Sequence, residues 1–128
     1  MKHLAIFEKS LAEAVFSGSK KIDGRFSKIK VLPFGKVSKG DVVWIKVPGG
    51  KILGYFKVLR VISFDHPGEK EIEFIKTGYK NELSVTESFW KRREKINFAT
   101  LIFIDSVGKF LVPPKFVKKD LRPWVIID

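Results

Sequence analysis

Gly18-Ser19-Lys20-Lys21-Ile22-Asp23-Gly24-Arg25 is the stretch on which the reading of this 128-residue chain turns. Upstream of it, Lys2 to Phe7 reads as a strand. Leu11, Ala14 and Val15 then recur at helical spacing, with Glu8, Lys9 and Glu13 elsewhere on the wheel. Gly18 is placed to stop that helix, because glycine accepts the left-handed backbone that closes a helix C-terminus. Lys21 to Arg25 follows as a short extended segment. Two lysines, a carboxylate and an arginine are thus gathered within a few residues of a helix end.

The octet also opens the most basic part of the chain. From Lys20 to Arg60 there are eleven Lys/Arg against Asp23 and Asp41. Residues 61–128 carry twelve Lys/Arg and ten Asp/Glu, close to balance. A net charge of +11 placed so unevenly points to a polyanionic partner, with RNA or a nucleotide foremost. The length suits one domain spanning 1–128, with 45% hydrophobic residues to form its core. No apolar run approaches the roughly 20 residues that span a bilayer, and the N-terminal residues do not read as a signal peptide. The expected location is cytoplasmic, with no membrane partner. Zero cysteines exclude disulfides and thiolate metal sites, and two histidines are too few for a histidine-rich one. No metal and no cofactor is expected: the chain has no phosphate-binding glycine loop, dinucleotide fingerprint or Ser-His-Asp order.

Downstream, residues 26–40 hold Pro33, Gly35 and Gly40 and read as a loop. Gly40-Asp41 is a turn signal before the β-branched strand Val42–Val47, and Pro48-Gly49-Gly50 is a hairpin turn. Ile52 to Phe64 reads as a long strand bent at Gly54. Glu69 to Lys76 reads as a short helix with Ile72, Phe74 and Ile75 inward. Ser84-Val85-Thr86-Glu87 has the spacing of a capping box, which predicts a helix running to about Lys95. Asn97 to Val107 returns as a strand, Gly108 turns the chain, and Trp124-Val125-Ile126-Ile127 closes it. Short strands at turn-separated intervals, with a few helices, predict an α+β fold: a small mixed β-barrel with peripheral helices.

Order and motif together resemble the ASCH domain, a member of the PUA-like barrel superfamily. The mark of that family is Gly-x-Lys-x-x-acid-x-Arg after the first helix, then a Gly-Asp pair opening a strand. Here these are Gly18 to Arg25 and Gly40-Asp41-Val42-Val43. The resemblance implies a PUA-like barrel that binds RNA in a cleft lined by the motif. It also implies an alternative, since some small relatives remove the acyl group from N4-acetylcytidine and others have ribonuclease activity. In the deacylating relatives the working residues are the motif lysine, a threonine three residues on and a downstream glutamate. Lys20 matches the lysine and Glu82 is the nearest glutamate. Asp23 stands where the threonine would be, so the hydroxyl nucleophile of that route is missing.

The RNA-binding candidates are Lys20, Lys21, Arg25, Lys28, Lys30, Trp44 and Lys46. In the leading reading, lysines of residues 20–60 meet phosphates. One base or nucleotide end enters a pocket near Lys20, Asp23 and Arg25, where Asp23 accepts from an exocyclic amine and Arg25 or Lys20 holds an oxygen. An Asp23–Arg25 or Asp23–Lys20 pair that merely pins the loop is the plainer alternative. Trp44 and Lys46 share one strand face, the pattern of base stacking beside a phosphate contact or of a core tryptophan with a snorkelling lysine. If the chain is an enzyme, Lys20, Asp23 and Glu82 are the candidate proton handlers of a metal-independent hydrolase, an amidohydrolase or a ribonuclease. A third reading is a protein-interaction adaptor with a basic face. The Lys91-Arg92-Arg93 run reads as a solvated helix end favoured by the helix dipole.

Overall fold

The computed structural model describes residues 1–127. Six strands form one mixed sheet in the order β2-β5-β4-β3-β1-β6. They are β1 Lys2–Ile6, β2 Ile22–Ser27, β3 Val42–Lys46, β4 Ile52–Asp65, β5 Phe98–Lys109 and β6 Trp124–Ile126. β1 runs parallel to β3, and every other pairing is antiparallel. The sheet is a curled half-barrel, with β2 and β6 at its two edges.

β1 has neighbours on both sides, and its inner residues His3, Leu4 and Ala5 are fully buried. Its two faces are covered as well, with Ala5 in one core and Leu4 against Ile52 and Val125, which is why Leu4-Ala5-Ile6 carries no polar residue. Helix α1, Lys9–Ser17, buries Ala12 and Val15 against the core that also contains Val43, Ile45, Phe56, Ile102 and Trp124. Gly18 closes it at φ 85°, as its position in the sequence predicts. A second core lies under helices α2 (Glu69–Gly78), α3 (Lys80–Leu83) and α4 (Glu87–Lys91) and includes Ile22, Ile75, Leu83, Ala99 and Leu101.

Several expectations change. The register shifts of β4 against β5 fall at Tyr55–Lys57 and Val58–Arg60, just beyond Gly54. Against β3 the register slips next to Gly54, since Ile45 pairs with Gly54 and Lys46 with Ile52; Gly54 is also a point of close approach, where a Cβ would stand 2.2 Å from the Gly108 carbonyl oxygen. Gly108 does not turn the chain. It pairs with Tyr55 inside β5, and the Tyr55 ring occupies the space a Cβ would need. The capping box at Ser84 is absent. Ser84 is left-handed, at φ 53°, and closes α3, so α4 begins after Thr86 and ends at Lys91, well short of Lys95. Half of such a box forms elsewhere, where the Glu71 carboxylate accepts the Gly68 N–H at the start of α2; glycine has no side chain to return the bond. Phe74 points outward and is 58% exposed. Among the described residues no helix is long and apolar enough to cross a membrane.

Candidate functional site

After Gly18 the chain doubles back, and the Lys20 N–H donates to Ala14 O at 3.0 Å. This turn sends the Lys20 side chain inward. It is 2% exposed, and its Nζ donates to the Leu83 carbonyl on α3. Burial lowers the Lys20 pKa to about 8; the neighbouring Asp23 charge opposes this and Arg25 adds to it.

β2 then alternates. Ile22 and Phe26 pack in the second core, and a Cβ on Gly24 would meet the Phe26 ring and Leu83. Asp23 and Arg25 share the opposite face. Asp23 is 3% exposed and accepts from Arg25 Nε at 2.9 Å. The Arg25 Nη2 reaches across the open side of the half-barrel and donates to Ile6 O at 3.1 Å. Its guanidinium lies between the rings of Phe7 and Trp124, 4.8 and 5.1 Å from their centroids. Arg25 therefore bridges β2 to β1 as well as pairing with Asp23.

Around this pair lies a cleft of about 210 Å³, whose walls include Phe7, Glu8, Asp23, Arg25, Phe89 and Arg93. A second hollow of about 170 Å³ adjoins it, sharing Gly24, Arg25, Arg93 and Pro123. Arg93 is half-buried; its Nη1 donates to Phe89 O at 2.8 Å, and its guanidinium lies 3.6 Å from the Phe89 ring centroid. Burial, together with the Arg92 and Arg25 charges, pulls its pKa below the usual guanidinium value, with Glu8 and Asp23 opposing. Arg92 pairs with Glu8 at 3.2 Å on the rim.

The Gly-Asp pair has a structural task. Asp41 accepts from the Ser38 N–H at 3.0 Å, from His3 Nε2 at 2.8 Å and from the Met1 amino group at 3.2 Å. Burial opposes these bonds, yet they outweigh it and hold the Asp41 carboxyl below its usual pKa. The Trp124 Nε1–H donates to His3 Nδ1 at 3.0 Å, which fixes the proton of the neutral ring on Nε2, facing Asp41. His3 thus faces the interior, not the cleft.

The other predicted residues divide. Lys21 is exposed beside Gly18, and its backbone N–H donates to Glu82 O. Lys28 and Lys30 are exposed on the loop that supplies Val31 to Phe34 to the second hollow. Glu82 is half-buried on α3 and lies outside the lining of the cleft that holds Asp23. Trp44 projects from the other face of β3, edge-on to Phe110 at 5.7 Å and with Lys2 Nζ 4.6 Å from its centroid. Lys46 Nζ lies near Val47 O, beside a separate hollow formed with residues 112–117. The structure therefore brings Asp23 and Arg25 together, with Lys20 buried nearby, and leaves Trp44 and Lys46 elsewhere. Arg93 is the residue that sequence reading missed. Arg93 lies four residues after the buried Phe89, and at the end of α4 its guanidinium folds over that ring. The basic run itself was the only signal.

The fold has known counterparts. The ASCH protein of Zymomonas mobilis superposes with a TM-score of 0.72 over 99% of this chain and 87% of its own, at 15% identity. The chain has the ASCH fold. A point mutant of the same Zymomonas mobilis protein gives 0.73 over 99% and 88%, at 14% identity. The hypothetical protein PH0355 gives 0.57 over 82% and 98%, at 20% identity. No protein-family profile and no curated protein sequence matches the chain.

Proposed function

We propose that this ASCH-fold chain is an RNA-binding module whose cleft receives one base or nucleotide end. The observation that carries the reading is the arrangement of Asp23, Arg25 and Arg93 around one small cleft with phenylalanine walls. A carboxylate there accepts hydrogen bonds from an exocyclic amine or ring N–H. A guanidinium plane that already lies on Phe89 offers its other face for base stacking. Lys21, Lys28 and Lys30 are exposed and give phosphates a cationic approach to the cleft. The buried Lys20 serves better as a structural and electrostatic neighbour of Asp23 than as a phosphate contact. Its inward amine also disfavours the hydrolase reading, which needs that amine within reach of substrate.

The test is a titration of single-stranded RNA by fluorescence anisotropy over a salt series. Log affinity should fall with log salt by about 0.7 per phosphate contact. Lys28→Ala and Lys30→Ala should each weaken binding alike for all sequences and reduce that slope. A slope near zero would overturn the reading.

A further inference from the structure

Thr100, the third residue of β5, is 1% exposed, and its Oγ1 is the one buried side-chain polar atom among the described residues without a hydrogen-bond partner. An orphaned buried hydroxyl is costly, so a native structure that keeps one calls for an explanation. The residue lines the second hollow, the 170 Å³ space adjoining the Asp23 cleft, together with Arg25, Arg93 and Ser27, so that a small turn of its side chain brings the hydroxyl to that space. Among the described residues no carboxylate lines that hollow, whereas Glu8 and Asp23 both line the neighbouring cleft. Arg25 and Arg93 line both spaces, so the cleft is balanced by its two carboxylates while the hollow keeps the two positive charges unneutralised. Arg25 already has Asp23 as its partner, but among the described residues Arg93 has no carboxylate within ion-pair distance, and its side chain donates to the Phe89 carbonyl. Two partly buried guanidiniums beside one another repel, and an anion between them relieves both.

We propose that this inner hollow is a phosphomonoester site, in which the guanidinium of Arg93, the free edge of Arg25 and the Thr100 hydroxyl donate to the phosphoryl oxygens. The proposal rests on the RNA reading and deepens it: the preferred ligand is a nucleotide end that carries a terminal phosphate, not an internal stretch of chain. The base occupies the Asp23 cleft and its phosphate the adjoining hollow, with Lys28 and Lys30 at the approach. The shared chemistry admits two sources, a phosphorylated RNA end and a free nucleoside monophosphate. A volume of 170 Å³ with apolar walls from Leu32, Pro33 and Phe34 suits a compact anion with its water removed, where each donor counts for more than in bulk water.

The experiment compares short single-stranded RNAs bearing a 5′-phosphate, a 3′-phosphate or only hydroxyl ends, and the ribonucleoside 5′-monophosphates against their nucleosides. Binding is read by calorimetry and by the shift in melting temperature. Wild-type protein should bind at least one phosphorylated end about tenfold or more tightly than the hydroxyl end, the size expected of charge-assisted bonds. Thr100→Val removes an unbonded hydroxyl at nearly constant shape, so the free protein should melt no lower than wild type. The preference for phosphate should nevertheless drop about tenfold. Arg93→Gln is the second variant and should abolish the preference while leaving the far-ultraviolet spectrum unchanged. Equal binding of phosphorylated and hydroxyl ends by wild type would overturn the proposal, as would a preference that survives both substitutions. Salt-dependent RNA binding with no end preference would remove this inference and leave the RNA reading standing. Binding of monophosphates without RNA binding would do the reverse.

Discussion

Replacing Lys20 by methionine should flatten the alkaline limb of this protein's stability. The amine is 2% exposed, and burial brings its pKa to about 8, against 10.5 in the unfolded chain. Below about pH 8 it is charged in both states, and the folded state bears the full cost of burying the charge. Between pH 8 and 10.5 the unfolded chain binds more protons, so wild-type stability from this group rises with pH. At roughly 1.4 kcal/mol per pKa unit, the gain comes to about 3 kcal/mol. Lys20→Met has no such gain. It also leaves the Leu83 carbonyl without its donor, but that loss is an offset nearly independent of pH. Contributions that the substitution does not touch cancel in the difference. Urea denaturation of the two proteins at intervals from pH 7 to 10.5 gives the quantity directly. The stability of the variant minus that of wild type should fall by about 3 kcal/mol across the range. A difference that stays flat, or rises with pH, would refute the reasoning, because it would mean that Lys20 is not desolvated in the folded state.

Asp23→Asn keeps one acceptor for Arg25 but removes its charge partner. It should cost about 1–3 kcal/mol in chemical denaturation and shift the order of preference in a nucleobase panel; unfolding at room temperature instead would make Asp23 purely structural. Asp41→Asn should cost about 1–3 kcal/mol at neutral pH. Because the Asp41 pKa is depressed in the fold, its stabilisation is present above the usual carboxylate range and fades as pH falls through the folded-state value, so the acid-unfolding curves of mutant and wild type should converge at low pH. Gly54→Ala places a Cβ 2.2 Å from the Gly108 carbonyl, a backbone atom held in the β4–β5 ladder. A loss of about 3 kcal/mol or more is expected in thermal melts, and a variant as stable as wild type would show that the two backbones separate easily.

The sheet was largely legible because its strands obey local rules. Val42 to Lys46 alternates, Pro48 to Gly50 turns tightly, and the runs at Leu4 and Leu101 are apolar because sheet neighbours and core cover them. The helical region was less legible. Ser84 has the right spacing for a capping box, but a left-handed backbone that lets α3 present the Leu83 carbonyl to Lys20 prevailed over it. Trp44 and Lys46 share a strand face as read, yet that face turns away from the cleft, which a two-residue period alone does not reveal.

The sequence by itself determined that a helix ends at Gly18, that Asp23 and Arg25 fall on one side of the strand after it, and that positive charge is concentrated in residues 20–60. Those properties depend on glycine's backbone freedom, the two-residue period of a strand and a simple count of ionisable groups. Only the tertiary structure decided what these residues meet. Curling the sheet brought Arg25 to the Ile6 carbonyl, and the seating of α4 set Arg93 at the same cleft. The pairing of β2 with β5 placed an unpartnered Thr100 hydroxyl opposite Arg25. Such contacts join positions far apart along the chain, and no local pattern encodes them, because their energies exist only once the intervening loops have closed.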